Sequence, residues 1–209
     1  MDDCCAHKGK ELKILVRQKD QRRVLNVVLI INAAMFFIEF GAGVVAGSAA
    51  LMADAVDMLG DAMVYGLSLY ALDRGMRWQA GAALAKGGFI LLFGVGVLLE
   101  IGIKLTAGVP PSSPLMLEFG SLALVANLTC LAMLWRFRQR DLNMSSTFEC
   151  SRNDVIANFG VLVAAGGVAL LQSPWPDIAV AAVIAMMFLR SAFTVLARAW
   201  PAFRGASPA

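Results

Sequence analysis

The sequence predicts an all-α integral membrane protein, a bundle of six transmembrane helices with both termini in the cytoplasm. Of its 209 residues, 59% are hydrophobic and only 16% are charged, whereas soluble domains are roughly 25% charged. The mean hydropathy is +0.70. The apolar residues are gathered into six runs, each near the roughly 20 residues that a helix needs to cross a bilayer.

The six apolar runs are separated by short polar connections that contain turn residues. They cover approximately residues 24–46, 50–72, 79–105, 115–135, 150–171 and 178–197. This organisation predicts a basic N-terminal tail over residues 1–23, a transmembrane domain over 24–197 and a short C-terminal tail over 198–209. Because six helices nearly exhaust the chain, we expect no second domain of ordinary size.

The positions of the basic residues predict the orientation, since cytoplasmic segments carry an excess of Lys and Arg. Seven of them lie within residues 8–23, and the second and fourth connections and the C-terminus also carry arginines, whereas the other three connections carry no Lys or Arg. We therefore expect both termini in the cytoplasm and the protein in the cell membrane. Nucleic-acid binding, another function of basic tails, is disfavoured because the rest of the chain is so apolar.

Acidic residues occur inside the predicted spans, where an ionisable side chain costs roughly 2.5–3.5 kcal/mol and is usually functional. They are Glu39, Asp54, Asp57, Asp61, Glu100, Glu118 and Asp154. Basic partners are scarce, because Lys86 and Lys104 lie near helix ends, where long side chains reach the interface. A bound metal ion or protons would therefore balance the buried acids.

Among these acids, Asp57 and Asp61 are the strongest indication of a metal site. They are four residues apart, so their side chains project from one face of the second helix, with β-carbons about 5–6 Å apart, and can share one divalent ion. Asp54 lies on the same stripe, although it could instead cap a helix. The fifth helix repeats the spacing with Cys150 and Asp154. Together with Asp57 and Asp61, these two residues would complete a shell of four ligands. Alternatively, Cys150 is a small buried residue that only packs against its neighbours.

These motifs resemble the cation diffusion facilitator family of metal–proton antiporters. The family's pattern is an Asn, an acid, a Gly-Ser turn, an Ala-Asp pair and a ligand four residues before an Asp. In this sequence the matching residues are Asn32, Glu39, Gly47-Ser48, Ala53-Asp54, Asp57 and Asp61, followed in the fifth helix by Cys150, Asp154 and Asn158. The resemblance covers most of residues 24–197.

The resemblance implies a homodimer that exports a divalent metal by alternating access, driven by proton entry. It implies a transport site of Asp57, Asp61, Cys150 and Asp154, and no cofactor beyond the transported metal and the coupling protons. It places Asn32, Glu39, Asp54 and Asn158 beside the ligands or on a proton path. Two departures are the Asp and Cys where the family usually has His, and the expected lack of the family's C-terminal cytoplasmic domain.

The ligand types predict the metal. A thiolate beside three carboxylates is borderline-soft and favours Zn²⁺, then Cd²⁺, Co²⁺, Fe²⁺ or Hg²⁺, over Mg²⁺ and Mn²⁺. The sole histidine, His7, lies in the tail, so the carboxylates and the thiol would carry the protons. Close buried carboxylates repel one another and retain protons, which a metal ion displaces. In the tail, Cys4, Cys5 and His7 could pick up metal, or the two thiols could be incidental.

Three other functions stay open at this point. A membrane enzyme is disfavoured, because the sequence has no His-Glu-x-x-His motif and its one histidine cannot build such a site. A membrane metal sensor or a non-transporting metal-binding subunit would bind the ion without moving it. A proton or sodium channel would show flux that does not depend on a metal.

Overall fold

The computed structural model describes residues 2–71, 76–138 and 142–204. Within these ranges the chain forms six α-helices and no strand, which confirms the predicted all-α bundle. The helices are α1 (Asp2–Ala46), α2 (Ala49–Ala71), α3 (Met76–Ala107), α4 (Ser113–Trp135), α5 (Leu142–Leu171) and α6 (Trp175–Arg204). For some helical residues the structure describes only the backbone and not the side chain, among them residues 2–18 and Cys150.

Several helices extend beyond their apolar runs. The first helix continues from the basic tail into the first span without a break, α5 begins at Leu142, and α6 continues to Arg204. Hydropathy marks only the part of a helix that suits lipid, whereas backbone hydrogen bonds continue wherever no residue stops them. The division of the chain into tail and transmembrane domain stays a prediction.

Two glycines end helices at one end of the bundle. Gly47 follows α1 with φ of +61°, and Gly108 follows α3 with φ of +64°, a conformation that costs glycine least. The backbone N–H of Ser112 donates to the Ala46 carbonyl at 2.9 Å, so the first and third connections meet. We call this end the outer end, following the predicted orientation.

Five helices are long and apolar enough to cross a membrane, by length and composition of the described residues. These segments are Lys19–Ala46, Ala83–Ala107, Ser113–Trp135, Ser151–Leu171 and Trp175–Pro201. Many exposed side chains are large and apolar, such as Phe37 (73% exposed) and Leu170 (86%), which suits contact with lipid tails. The chain is therefore a multi-pass membrane protein. The remaining helix, α2, carries three aspartates and is enclosed by the others.

The helices form two groups. One is the pair α3–α6, and the other is a four-helix group in which α1 packs on α2 and α4, and α5 packs on α4 and α2. In the described ranges, α2 is the helix that contacts every other one. The two groups meet where α2 packs on α3 and α6, and where α5 packs on α6.

Glycines allow the closest helix contacts. A β-carbon on Gly43 of α1 would lie 2.8 Å from the Cγ atom of Met52 and 3.0 Å from its backbone nitrogen in α2. A β-carbon on Gly94 of α3 would lie 2.6 Å from the Cδ2 atom of Leu189 in α6. Small residues at such positions let helix backbones approach in membranes, so the outer part of α2 is held tightly against α1.

Candidate metal site

Polar side chains are buried inside the four-helix group. None of the following is more than 9% exposed: Asn32 and Glu39 on α1, Asp54 and Asp61 on α2, Asn127 and Cys130 on α4, and Ser151, Asp154 and Asn158 on α5. Each uncompensated buried polar group costs free energy. A concentration of them in one interior therefore indicates a function rather than a packing role.

Three of the predicted ligands lie near one another on α2 and α5. Asp61 and Asp154 are buried, and Asp57 is half-buried. Asp61 has the largest electrostatic effect on Asp154 of any described charged group, and the two carboxyl groups interact through a side-chain hydrogen bond. Such a bond requires a proton on one of the two groups. Asp57 and then Asp54 have the next largest electrostatic effects on Asp154. The assignment of these residues as metal ligands stays a prediction.

The fourth predicted ligand, Cys150, has a side chain outside the described part of the chain, as do Cys4, Cys5 and His7 of the tail. Among the described side chains, no three His, Cys, Asp or Glu residues form a group that could hold a metal ion.

Glu39 and Asp54 form a second acidic contact, nearer the outer end. Both are buried, at 0% and 1% exposure, and their carboxyl groups face each other across α1 and α2. Among the described groups, no donor reaches either Glu39 oxygen or Oδ2 of Asp54, because two carboxylates offer only acceptors. A proton on one of the pair would turn the contact into a hydrogen bond.

Asn158 connects this acidic pair to the predicted ligands. Its Nδ2 atom donates to the backbone carbonyl of Asp154 at 3.0 Å, and its side chain also faces Asp54. Its Oδ1 atom is buried and has no donor among the described groups. The polar interior therefore runs from Asp154 through Asn158 to Asp54 and Glu39.

Asn32 lies beside Cys130, a buried thiol that the sequence analysis did not select. The Nδ2 atom of Asn32 donates to the Sγ atom of Cys130 at 3.9 Å, and Asp154 and Asp61 have the largest electrostatic effects on the thiol. The signal in the sequence was a polar pair, Asn127 and Cys130, on a largely apolar helix. Because Cys130 also belongs to an apolar cluster, we regard it as a packing residue at the edge of the polar interior.

Two of the acids expected in the interior lie elsewhere. Glu118 is exposed on α4, and Glu100 is only partly buried on α3. Their positions in apolar runs suggested burial, but these runs also have faces directed away from the bundle. Neither residue is part of the polar interior.

Asp177 and Lys104 form a buried ion pair that the sequence analysis missed. Oδ2 of Asp177 lies 2.7 Å from Nζ of Lys104, and the two side chains are 0% and 6% exposed. The expectation that Lys104 would reach the interface was therefore wrong, because its ammonium group turns inward to this carboxylate. The sequence signal was an acid in the first turn of α6, which we had placed in a connection.

Buried acids inside a bundle of lipid-facing helices define a multi-pass membrane protein with an interior suited to cations. The sequence model of a protein family, the cation efflux transmembrane domain, matches residues 25–201 of this chain. The chain therefore belongs to the cation efflux family, which confirms the resemblance of its motifs.

Two curated relatives are similar over most of this chain. The metal cation efflux system protein CzcD of Cupriavidus metallidurans strain CH34 is 25% identical over 186 residues, which cover 83% of this chain and 59% of that protein. The cation efflux system protein CzcD of Alcaligenes sp. strain CT14 is 26% identical over 179 residues, which cover 80% of this chain and 57% of that protein. The chain thus spans less than two thirds of the length of each relative.

Proposed function

We propose that this protein exports a divalent metal cation across the membrane in exchange for protons. The observation that carries the proposal is the burial of Asp61 against Asp154, with Asp57 nearby, inside the bundle of a cation efflux family member. A divalent ion neutralises such a group of carboxylates far better than a distant side chain can. The names of the two relatives, both cation efflux proteins, support the same function.

The ligands in this proposal are Asp57, Asp61, Cys150 and Asp154. Zn²⁺ is the first candidate cargo and Cd²⁺ the second, because one thiolate among carboxylates gives a borderline-soft site. Co²⁺, Fe²⁺ and Hg²⁺ follow. We also propose that two copies of the chain form a homodimer, and that Cys4, Cys5 and His7 collect metal at the cytoplasmic side.

Proton exchange follows from the same carboxyl groups. Asp61 and Asp154 need a shared proton while no metal ion is bound, and a metal ion binds only their deprotonated forms. If the site faces each side of the membrane in turn, this competition couples metal efflux to proton entry. We assign Asn32, Glu39, Asp54 and Asn158 to the proton path, because their buried oxygens lack donors among the described groups.

The test is metal uptake by proteoliposomes that contain the purified full chain. With an acidic lumen, outward proton flow should drive Zn²⁺ and Cd²⁺ inward, and Mn²⁺ far less. Asp57→Ala should abolish the uptake, whereas the matched control Glu118→Ala, which removes an exposed acid, should retain it. Asp57-dependent binding without flux would favour a sensor or a non-transporting subunit. Proton flux that needs no metal would favour a channel, and either result would overturn the proposal.

A further inference from the structure

The carboxylate of Asp177 holds the outer end of α2. Its Oδ1 atom accepts hydrogen bonds from the Ser48 hydroxyl at 2.6 Å and from the backbone N–H of Ala50 at 3.1 Å, and Oδ2 accepts one from the N–H of Ala49 at 3.0 Å. The Ser48 hydroxyl also accepts a bond from the N–H of Leu51 at 3.2 Å. The first N–H groups of α2 have no partner within their own helix; those of Ala49 and Ala50 are satisfied by Asp177 of α6, and that of Leu51 by Ser48.

Lys104 of α3 completes this cluster. Its ammonium group lies 2.7 Å from Oδ2 of Asp177, so one carboxylate joins α3 and α6 to the N-terminus of α2. The negative charge of the carboxylate is balanced by the positive ammonium group and by the positive end of the α2 dipole. The cluster therefore ties the α3–α6 pair to the four-helix group at a single charged point.

The outer turns of α2 are also enclosed by neighbouring helices. Every residue in 49–56 is buried, and Ala49, Ala50, Leu51, Ala53, Ala55 and Val56 are 0% exposed. Asp57 and Asp61 lie about 12 Å and about 18 Å along the axis from Ala49, at a rise of 1.5 Å per residue. Because α2 is continuous over this distance, a shift or rotation at its N-terminus moves both carboxylates with it.

We infer that Asp177 is a positioning residue for metal binding, which fixes the depth and rotation of α2 so that Asp57 and Asp61 meet Asp154. This inference rests on the proposed function, since it assumes that these acids bind the metal. Asp177 does not contact the ion in this arrangement and acts through the helix that it holds. Lys104 has a different task, which is to balance the charge of the buried carboxylate.

This division of tasks sets the choice of variants. Asp177→Asn removes the carboxylate and leaves the Lys104 ammonium group buried without its counterion, so this variant should lose stability. The double variant Asp177→Asn/Lys104→Gln removes both charges and should recover much of that stability. It still lacks the carboxylate at the N-terminus of α2, so its metal affinity should stay low. Glu118→Gln is the matched control, because it makes the same carboxylate-to-amide change at an exposed position.

The experiment is calorimetric titration of Cd²⁺ into the full chain in detergent. Size-exclusion chromatography gives the amount of folded protein, and the affinity is calculated for that amount. Thermal unfolding is followed on the same samples. Loss of a group that orients metal ligands typically weakens affinity by about 10–100-fold, so we expect at least about a tenfold rise in Kd for the double variant. The control should keep the wild-type Kd.

A double variant with the Kd of the wild type would overturn the inference, because Asp177 would then serve stability alone. That variant decides the question even if Asp177→Asn cannot be isolated. Failure of the proposed function has a different signature, since the wild type would then show no Cd²⁺ binding that Asp57→Ala removes. That outcome would overturn both proposals together.

Discussion

Asp61 on α2 and Asp154 on α5 lie close enough for a hydrogen bond between their carboxyl groups. The bond needs a proton, because two carboxylates cannot donate to each other. The same proton stands in the way of a metal ion, so the metal and the proton compete for one pair of side chains.

Lower pH should therefore weaken metal binding. Protons occupy the ligands on the acid side, so the Kd for Cd²⁺ should rise by about tenfold per pH unit for each proton released on binding. Calorimetry in two buffers with different ionisation enthalpies gives the number of protons, and titrations across pH give the slope. A Kd that does not change between about pH 6 and 8, where competition by a retained proton is expected, would contradict the shared proton.

Cys150→Asp should shift the metal preference toward harder ions. Replacing the thiolate by a carboxylate removes the soft ligand, so the ratio of Cd²⁺ to Mn²⁺ affinity should fall by about tenfold, which corresponds to 1.4 kcal/mol. Competition binding in detergent measures this ratio. Cys130→Ser is measured alongside, because it alters a buried thiol that is outside the proposed ligand set. An unchanged ratio in Cys150→Asp would remove that residue from the ligand set.

Glu39→Gln should separate proton movement from metal binding. The amide can donate to Asp54 permanently and so replaces the proton that this contact needs. We expect Cd²⁺ affinity close to the wild type and proton-driven uptake slower by about tenfold, in the range that one proton-transfer group contributes. Wild-type uptake in this variant, with Glu118→Gln measured alongside, would take Glu39 off the proton path.

Gly43→Ala should destabilise the bundle. The added β-carbon would lie 2.8 Å from the Met52 side chain and 3.0 Å from its backbone nitrogen, and overpacking of this kind costs about 1–3 kcal/mol. Gly41→Ala is the matched control, since no atom outside its own helix backbone and chain neighbours lies within 4 Å of a β-carbon there. Thermal unfolding in detergent should show a lower midpoint for the first variant and not for the second. Equal midpoints would mean that α1 and α2 can separate at little cost.

Hydropathy located the helices correctly, because lipid penalises polar residues along a whole span. It also found the interior acids of α2 and α5, since a carboxylate in an apolar run has few tolerable positions. It could not separate Asp154, which faces the interior, from Glu118, which is exposed. That distinction depends on how each helix is rotated in the bundle, and rotation is set by contacts between helices.

The ion pair at the outer end was beyond sequence reasoning for a related cause. Lys104 and Asp177 are separated by 73 positions, and no periodicity connects two residues on different helices. Each one alone satisfies a simpler rule: a lysine near a helix end reaches the interface, and an acid after two prolines belongs to a turn. Only the packing of α3 on α6 brings the two together.

The three aspartates of α2 have a consequence for how the protein is made. Each aspartate adds to the free energy cost of inserting this helix into lipid by itself. The turn between α1 and α2 contains only Gly47 and Ser48. We therefore expect α2 to enter the bilayer during synthesis as a hairpin with α1, so that the helix proposed to bind the cargo depends on its neighbour for its own insertion.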